Sequence, residues 1–397
     1  MITVEQAEQI ILAQIEDYGT EEVPFEQALG RVLAKDFLAD RDLPPFNRVT
    51  MDGIAIKYSD IVDGVNTFRI AATQAAGDEP IAIETNNECI EIMTGAALSG
   101  DLDTVIRYED VEITNGNARL LTNDIKQGQN IHLKGKDKEL GNVVASSGQL
   151  VTPAIISLAA SVGAVLLTVK KLPRVMIISS GDELVDVNDT PSDYQIRRSN
   201  SYTIKAALKN HGLDADTIHI PDDPEVTKTQ IQNCLQNYDV LLLSGGISMG
   251  KFDYIPQALE DLQVNKLFHK VQQRPGKPFW FGKHAKGAVV FAFPGNPVAT
   301  FMCLHRYFLS WLHATLGLPK QTAIYAQLIT DFNFAPPLTY FLQVKLSYSQ
   351  QAVLQAQPIE GNGSGDFANL ADTDAFIELP ANRNEFKKGE VFPVIKF

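Results

Sequence analysis

The chain has 397 residues, of which 45% are hydrophobic and 21% charged, and its formal net charge is -14. At about 100–200 residues per domain, this length predicts two to four domains, and the composition excludes a disordered or fibrous protein. The negative charge argues against nucleic-acid binding, where affinity comes from cations that displace phosphate counterions. An anionic ligand therefore needs a local basic cluster or backbone N–H groups.

Cysteine, histidine and terminal patterns narrow the class further. The three cysteines, Cys89, Cys234 and Cys303, form no CxxC pair, so we expect buried thiols in a reducing compartment. The seven histidines form no HxxxH or HExxH pattern. The N-terminal sequence lacks the basic start and cleavage site of a signal peptide, and no apolar run is long enough to span a bilayer. We expect a cytoplasmic protein that binds neither membranes nor nucleic acid.

Helix signals occur in residues 1–45 and again in residues 138–171. Thr3-Val-Glu-Gln6 has the form of a capping box, in which the Thr and Gln side chains each bond a backbone N–H. Pro153 follows a threonine and suits the first position of a helix. Because these stretches flank a region of different period, we expect them to pack together as an elongated helical linker domain.

The intervening region, 46–137, has the period of two that is typical of β-strands. Its clearest signal is a hairpin at Val111–Leu120, where Asn115-Gly116 supplies the positive φ of a tight turn. We therefore expect a small β domain inserted between the two helical stretches.

Residues 172–317 alternate apolar strand signals with amphipathic helix signals. The predicted strands are Val175–Ser179, Asp216–Ile220, Tyr238–Ser244, Lys266–Val271 and Ala288–Phe293. Such alternation predicts a doubly wound parallel sheet with helices on both faces. Residues 318–397 contain short β segments between turns and predict a small C-terminal β-barrel or sandwich. The fold class is thus multidomain α/β plus β.

Glycine-rich loops follow two strands of the predicted sheet, at the edge where ligands of such sheets bind. Glycine lets backbone N–H groups approach an anion without hindrance from a Cβ atom, and a helix N-terminus favours negative charge. Each loop alone is explained equally well as a turn. The candidate substrate-binding residues in these loops are Gly245, Gly246, Ser248, Gly250, Pro294, Gly295 and Asn296.

Three carboxylates, Glu183, Asp222 and Asp253, follow strands at the same edge. Carboxylate oxygens that share a crevice suit a hard cation such as Mg²⁺ or another divalent ion. One such residue alone is better explained as a helix cap or a solvated loop residue. Three of them beside a phosphate-binding loop favour a metal site.

Basic residues complete the pattern. Lys270, Arg274 and Lys277 lie in a proline-bounded loop after another predicted strand. Lysine and arginine are usually surface residues, but this position in an acidic protein favours the binding of phosphate or another oxyanion. The residues therefore predict an Mg²⁺-assisted enzyme that acts on a phosphate-bearing ligand.

Seven motifs, in order along nearly the whole chain, resemble the molybdopterin molybdenumtransferase family, which includes MoeA and the E domain of gephyrin. The combination is highly specific, although each motif alone is modest. The motifs are Leu43-Pro-Pro-Phe46, Met51-Asp-Gly-Ile-Ala55, Met93-Thr-Gly-Ala96, Ser180-Gly-Asp-Glu-Leu184, Gly245-Gly-Ile-Ser-Met-Gly250, Arg274-Pro-Gly-Lys-Pro278 and Pro294-Gly-Asn-Pro-Val298.

This resemblance implies an L-shaped homodimer of four domains: 1–45 with 138–171, 46–137, 172–317 and 318–397. It also implies a reaction in which molybdate is inserted into adenylylated molybdopterin and the adenylate bond is cleaved to release AMP, with help from a divalent metal. The partners that it implies are these small-molecule substrates and the molybdopterin adenylyltransferase.

The resemblance also assigns roles to individual residues. The acids would hold the metal or position water, and Lys270 would steady phosphate or molybdate. Asp52 and Ser364 would reach the crevice of the partner subunit or of the adjacent domain. The residues at functional positions of the family are Asp52, Thr94, Glu183, Asp222, Asp253, Lys270, Arg274 and Ser364.

Six positions depart from the family pattern, and these changes bear on the handling of molybdate more than on the fold. Arg274 keeps a positive charge but replaces a point donor by a planar fork, and Gln343 removes a cation. The departures are Val49 for Ser, Ile54 for Tyr, His132 for Arg, Lys136 for Glu, Arg274 for Lys and Gln343 for Arg.

Two other functions remain open at this stage. Loss of positive charge at Gln343 and His132 is compatible with a catalytically weakened paralogue that acts as a molybdopterin-binding scaffold. Residues 172–317 also resemble molybdopterin adenylyltransferases. The flanking β domains argue against that activity, because the single-domain adenylyltransferases lack them.

Overall fold

The computed structural model describes residues 1–247, 254–320, 322–359 and 367–397. The chain divides into two compact units, which we call the sheet unit and the inserted unit. The sheet unit comprises Met1–Ala34, Gly148–Thr152 and Thr168–Phe397, and the inserted unit comprises Lys35–Ser147 and Pro153–Leu167. The two stretches that the sequence analysis joins in a helical linker domain are divided between these units.

The sheet unit contains a six-stranded sheet in the order β2-β1-β3-β6-β5-β4. Its strands are β1 (Val175–Ser180), β2 (Ala215–Ile220), β3 (Val240–Ser244), β4 (Val264–His269), β5 (Trp280–His284) and β6 (Val289–Phe293). The first four in this order are parallel, whereas β5 is antiparallel to both of its neighbours. The prediction of an entirely parallel sheet is therefore wrong, and the sheet is mixed.

The missed strand, β5, has a glycine in its centre. A Cβ atom at Gly282 would lie 2.5 Å from the Trp280 ring and 2.7 Å from the Asn265 carbonyl oxygen. Glycine is thus required because an aromatic ring covers this point of the strand. The same glycine interrupts the apolar run that would have indicated a strand in the sequence.

Helices cover both faces of this sheet, as predicted from its alternating pattern. Val175 and Ile177 of β1 face one apolar core, and Met176 and Ile178 face the other. The helices are α1 (Val4–Leu12), α2 (Asn200–Lys209), α3 (Pro224–Asn237), α4 (Ile255–Asp261), α5 (Pro297–Cys303) and α6 (Leu309–Thr315). A π-helical segment, Leu304–Phe308, joins α5 to α6.

The first helix packs into the core of the sheet unit. The predicted capping box at Thr3 and Gln6 is confirmed. The apolar side chains of α1 are buried with those of α6, and the indole N–H of Trp311 donates to the Gln14 carbonyl at 3.0 Å.

The C-terminal region of the sheet unit is a closed β-barrel, which confirms that prediction. The long strand Thr339–Tyr348 pairs with two strands and so closes the ring. The barrel strands are Ile324–Leu328, Thr339–Tyr348, Leu354–Pro358, Ala375–Leu379 and Val391–Lys396. A short strand, Gln273–Arg274, pairs in parallel with the start of Thr339–Tyr348 and so connects the basic loop to the barrel.

The inserted unit is built around a second six-stranded sheet. Its strands are Gly53–Ile56, Thr67–Gln74, Glu88–Ile92, Thr104–Arg107, Val111–Thr114 and Asn117–Leu120. The last two form the predicted hairpin, with positive φ at Asn115 and Gly116. Helices Tyr58–Val62 and Pro153–Ser161 belong to the same unit.

The remaining helical and extended elements are short. The 3₁₀ helices are Phe25–Gln27, Tyr108–Asp110 and Ala368–Ala371. The short strands are Thr20–Pro24, Phe37–Leu38, Arg48–Val49, Ile131–His132, Val143–Ala145, Leu166–Lys170, Leu184–Val185, Ile196–Arg197, Phe332–Asn333 and Glu385–Phe386.

Two predictions from the sequence concern the state of the cysteines and the presence of membrane-spanning helices. Cys89, Cys234 and Cys303 are all buried free thiols, as predicted. Within the described part of the chain, every helix is too short or too polar to cross a membrane.

Gly53 of the Met-Asp-Gly motif offers a test of the inserted sheet. A Cβ atom there would collide with the Ile106 carbonyl oxygen and lie 2.9 Å from the Arg107 Cα. We expect Gly53→Ala to lower the free energy of unfolding by about 2 kcal/mol, because the strands must move apart. Gly100→Ala, whose Cβ would meet open space, should change it by less than about 0.5 kcal/mol. Urea denaturation compares them, and equal stabilities would contradict the packing described.

Candidate active site

The topology of the six-stranded sheet creates a crevice at one edge. From β1 the chain passes to β2 on one side and then returns to β3 on the other. In open α/β sheets, the loops at such a reversal diverge and leave a ligand-binding crevice outside the carboxyl ends of the strands. The end of β1 is Ser180 and the end of β3 is Ser244.

A cavity of about 150 Å³ lies at this point. Three of the predicted site residues, Glu183, Gly245 and Gly295, line it. The sequence analysis missed the other polar side chains, although a basic pair directly before a helix N-terminus was a visible signal. These missed residues are Ser179, Ser180, Arg197, Arg198, Ser199, Asn200, Ser201 and Ser244.

The glycine pair after β3 makes a tight turn, and its first member, Gly245, lines the cavity. Gly245 and Gly246 have φ of +93° and +65°, which other residues rarely adopt. A Cβ at Gly245 would lie 2.9 Å from the Ser180 carbonyl oxygen, and one at Gly246 would lie 2.5 Å from the Ser180 Oγ. The turn is therefore confirmed, and the ligand-binding role of this loop stays a prediction.

The Ser180 hydroxyl is buried at the wall of the cavity. The residue is 5% exposed and lines the cavity. Its Oγ has no hydrogen-bond partner among the described residues. Because a buried hydroxyl without a partner is costly, a bound molecule that bonds to it would gain affinity.

Asn200 ties three loops of the site together. Its Nδ2 donates to the Ser244 Oγ at 2.7 Å and to the Gly295 carbonyl at 2.8 Å. In the neighbouring turn, the Thr300 hydroxyl donates to the Pro294 carbonyl at 2.6 Å. These bonds fix the Pro-Gly-Asn-Pro turn against the end of β3.

The acidic loops after β1 and β2 are joined by a reciprocal pair of hydrogen bonds. The Asp182 N–H donates to the Asp222 carboxylate at 3.4 Å, and the Asp222 N–H donates to the Asp182 carboxylate at 3.1 Å. Glu183, next along the chain, is exposed, and its carboxylate folds over Gly181. The structure thus brings the predicted residues Glu183 and Asp222 into adjacent loops.

Four predicted site residues lie outside the described residues: Ser248, Gly250, Asp253 and Ser364. Within the described ranges, no three His, Cys, Asp or Glu side chains converge on a metal position. The metal site predicted from Glu183, Asp222 and Asp253 includes one of the four, so it stays a prediction.

A histidine modifies the electrostatics beside these acids. His219 lies 3.3 Å from the Ser179 Oγ through its Nδ1. Burial lowers the pKa of His219, and the Arg198 charge lowers it further, while Asp182 and Asp222 oppose this shift. The imidazole is therefore neutral at pH 7.

The predicted cations occupy a different part of the same edge. Lys270 follows β4, which is three strands from β3, or about 14 Å at the usual strand spacing. The described residues that line the cavity do not include Lys270, Arg274 or Lys277. Lys270 is half-buried and the other two are exposed, with the Arg274 guanidinium 5.8 Å from the centre of the Phe334 ring.

Arginines missed in the sequence supply positive charge at the cavity itself. Arg198 forms an ion pair with Asp186, and the Arg197 Nε donates to the Asp189 carbonyl at 3.2 Å. These contacts hold the basic segment across the cavity from the glycine turn.

In the inserted unit, the structure brings together the predicted residues Asp52 and Thr94. The Asp52 carboxylate accepts the Thr94 backbone N–H at 2.6 Å and its hydroxyl at 2.8 Å. The backbone bond, followed by the hydroxyl bond, lowers the pKa of Asp52 below its usual value. Both residues are exposed. The two hydrogen bonds fix the Asp52 carboxylate in position, and its lowered pKa keeps it charged at neutral pH.

Three of the positions that depart from the family pattern are buried or hydrogen-bonded within their own units. Val49 is buried in the inserted unit. His132 lies between Arg48 and Asp137, with its ring nitrogens 3.2 Å and 2.9 Å from their side chains. In the barrel, the Gln343 side-chain oxygen accepts the Thr373 hydroxyl at 3.0 Å.

Family models match the chain in three consecutive segments. The MoeA N-terminal region (domain I and II) matches residues 2–163, and the probable molybdopterin binding domain matches residues 176–314. The MoeA C-terminal region (domain IV) matches residues 325–397. The second segment contains the cavity, and the third contains the barrel.

Similar proteins cover the full length. A molybdopterin molybdenumtransferase from Synechocystis sp. is 40% identical over 396 residues, which are 99% of each chain. Another from Staphylococcus epidermidis is 30% identical over 401 residues, covering 99% of this chain and 95% of that one. A solved structure, the molybdopterin biosynthesis MoeA protein from Pyrococcus horikosii, has a TM-score of 0.82 and 28% identity, with 100% and 99% of the two chains covered.

The Asp52–Thr94 pair generates a pH prediction. Thr94→Val removes the hydroxyl donor but keeps the backbone N–H, so the pKa of Asp52 should rise part of the way toward its ordinary value. A lowered pKa stabilises the folded unit above the unfolded-state pKa, and this contribution is lost as pH falls through the folded-state pKa. The variant should lose part of that contribution.

NMR titration of the Asp52 carboxyl carbon measures the shift directly. Asp42, in the same unit, serves as the internal control, because the Leu140 backbone N–H lowers its pKa independently of Thr94. An unchanged Asp52 titration in the variant would show that the hydroxyl bond contributes nothing.

Proposed function

This chain belongs to the molybdopterin molybdenumtransferase family, and we propose that it inserts molybdate into adenylylated molybdopterin and releases AMP. It is a transferase with a role in molybdenum cofactor biosynthesis. The observation that carries the mechanistic proposal is the cavity at the topological reversal, lined by a buried free hydroxyl, two arginines and a glycine turn.

In this proposal, the cavity holds the phosphate-bearing part of the substrate. The Ser180 hydroxyl would bond to the phosphates, and Gly245, which lines the cavity, leaves them unobstructed by a Cβ atom. Arg197 and Arg198 supply positive charge next to the phosphates, which offsets the net charge of the chain. Asn200 keeps the Gly295 turn in register with β3.

The acids are proposed to hold Mg²⁺ or another divalent cation. Glu183 and Asp222 lie in adjacent loops and offer carboxylate oxygens, the donors that such a cation prefers, so the described part of the site fits it. Asp253 is proposed as the third ligand. When bound, the cation withdraws negative charge from the phosphoanhydride. The acids would also orient the water that cleaves this bond.

Molybdate is the second substrate, and we assign its binding to the basic loop. Lys270, Arg274 and Lys277 present positive charge at the same edge of the sheet, outside the cavity. The arginine pair at the cavity and the basic loop are separate from each other. This separation suits a substrate whose phosphate end and dithiolene end lie apart. Arg274 is held by Phe334 and by pairing of its strand with the barrel.

Further parts of the proposal concern assembly. We propose a homodimer of four-domain subunits with the boundaries given by the sequence, in which Asp52 and Ser364 act in composite sites and Thr94 holds a functional position. The fixed, charged Asp52 carboxylate supports a binding role for that residue. The molybdopterin adenylyltransferase is the proposed donor of the substrate.

The central test is AMP release by the purified chain, given adenylylated molybdopterin, Mg²⁺ and molybdate. We expect Glu183→Gln and Asp253→Asn to slow it by about 100-fold or more, because each removes an anionic ligand of the proposed cation. Glu183 is exposed, so circular dichroism and gel filtration should show an unchanged fold and oligomeric state. Chelation of divalent ions should have the same effect on the wild type.

Glu260→Gln is the matched control, since it removes an exposed carboxylate from α4. Wild-type rates in both acid variants would remove these residues from the mechanism. Substrate binding without AMP release by the wild type would favour the scaffold function that Gln343 and His132 suggest. ATP-dependent adenylylation of free molybdopterin would instead identify an adenylyltransferase.

A further inference from the structure

A buried polar network lies beneath the basic loop 274–278. Gln273 is 0% exposed and Tyr307 is 1% exposed. The Tyr307 hydroxyl donates to the Gln273 side-chain oxygen. The Gln273 side-chain amide donates in turn to the Gly276 carbonyl at 3.1 Å.

Gly276, at the centre of the loop, is seated directly on this network. Its φ is +87°, and a Cβ there would lie 2.7 Å from both the Gln273 Nε2 and the Cys303 Sγ. It would also lie 3.1 Å from the Met302 methyl carbon. The loop backbone therefore contacts the network with no side chain between them, and a shift of the network moves the loop.

Further contacts hold the network and the loop in place. The Phe279 ring stacks on the Tyr307 ring with centroids 5.0 Å apart. The Phe279 N–H also donates to the Gly276 carbonyl at 3.2 Å, and the Val271 N–H donates to the Lys277 carbonyl at 2.9 Å. Tyr307 itself comes from the π-helical segment, a widened turn of the kind often found near functional sites.

The chemistry of the network indicates what it is for. Gln273 and Tyr307 project polar groups into an otherwise apolar core, where apolar side chains would pack without the cost of desolvation. The Gln273 amide donates to the Cys303 Sγ at 3.5 Å and to the Gly276 carbonyl, which lies between Arg274 and Lys277 in the loop. The network thus fixes the point from which two exposed cations extend.

We propose that Gln273 and Tyr307 are positioning residues that hold Arg274 and Lys277 in the geometry that binds a tetrahedral oxyanion. This inference rests on the proposed function of the loop as the molybdate site. Neither residue touches the anion. Each acts through the Gly276 carbonyl.

Equilibrium binding of molybdate to the full chain, measured by calorimetry, tests the proposal. Tyr307→Phe removes one bond, and Gln273→Met removes all three bonds of the Gln273 side chain while keeping its length. We expect about a 10-fold rise in the dissociation constant for Tyr307→Phe and a larger rise for Gln273→Met. The KM for molybdate in AMP release should rise by the same factors, with kcat changed less than 2-fold.

Trp311→Phe is the matched control, because it removes a buried hydrogen bond from the helix that follows Tyr307 without touching the loop. It should lower the melting temperature about as much as Tyr307→Phe does and leave molybdate binding unchanged. Gln273→Met decides the question if Tyr307→Phe does not fold.

The outcomes separate this inference from the function on which it rests. Wild-type dissociation constants in both variants would overturn the positioning role, as would a wild type that does not bind molybdate. Weakened binding in both variants would support it. If the wild type binds molybdate but releases no AMP, the proposed reaction fails while the positioning role stands on the binding data.

Discussion

The close approach of the loop after β3 to the end of β1 is the constraint on which the site depends. Gly245 and Gly246 lie so near Ser180 that neither position has room for a side chain. Among the described residues the Ser180 hydroxyl has no hydrogen-bond partner, and the cavity lies at the ends of the two strands. Asn200 bonds to Ser244 and Gly295 and so holds the Pro-Gly-Asn-Pro turn against the end of β3. Parallel strands alone would provide an edge, but these contacts provide a binding surface.

Charge is distributed around this constraint in separate groups. Acids occupy the loops after β1 and β2, arginines lie across the cavity, and the basic loop follows β4. Because the chain carries a net charge of -14, its overall field repels anionic substrates. Cations in this protein must therefore act at short range, where Coulomb attraction outweighs that field. Short-range action in turn requires that each cation be held in a defined place.

The sequence predicted those features that one local pattern determines. Continuous apolar runs identified β1, β3 and β6, and Asn115-Gly116 identified the hairpin, because burial and turn geometry each leave a short signature. The antiparallel strand β5 was missed because Gly282, required under the Trp280 ring, interrupts its pattern. The π-helical segment within Leu304–Phe308 has no signature at all, since its residues suit an ordinary helix equally well.

The site residues also divide into those that a local sequence pattern identifies and those that it does not. Glu183 and the glycines were found because they follow strand signals directly. Asn200 was missed because an asparagine at a helix start indicates a cap, whereas its amide here bonds residues 44 and 95 positions away. The sequence also placed all cations in one crevice, but the order of strands separates Lys270 from the cavity by three strand spacings. The contacts of Asn200 and the position of Lys270 both depend on which distant segments lie side by side in the fold. No local pattern of the sequence encodes this.

A common design unites the two proposed binding loops. Each places a glycine against a polar group that is itself buried: Gly246 on the Ser180 hydroxyl, and Gly276 on the Gln273 amide. The exposed charges that would meet substrate, Arg197 in one case and Arg274 in the other, have few contacts of their own. The backbone below them also sets their positions, and at Gly276 that backbone is held by neutral side chains in the core. In an acidic protein this division is physically sensible, because neutral hydrogen bonds keep their strength regardless of the surrounding field, while a surface ion pair would compete with the ligand for the cation.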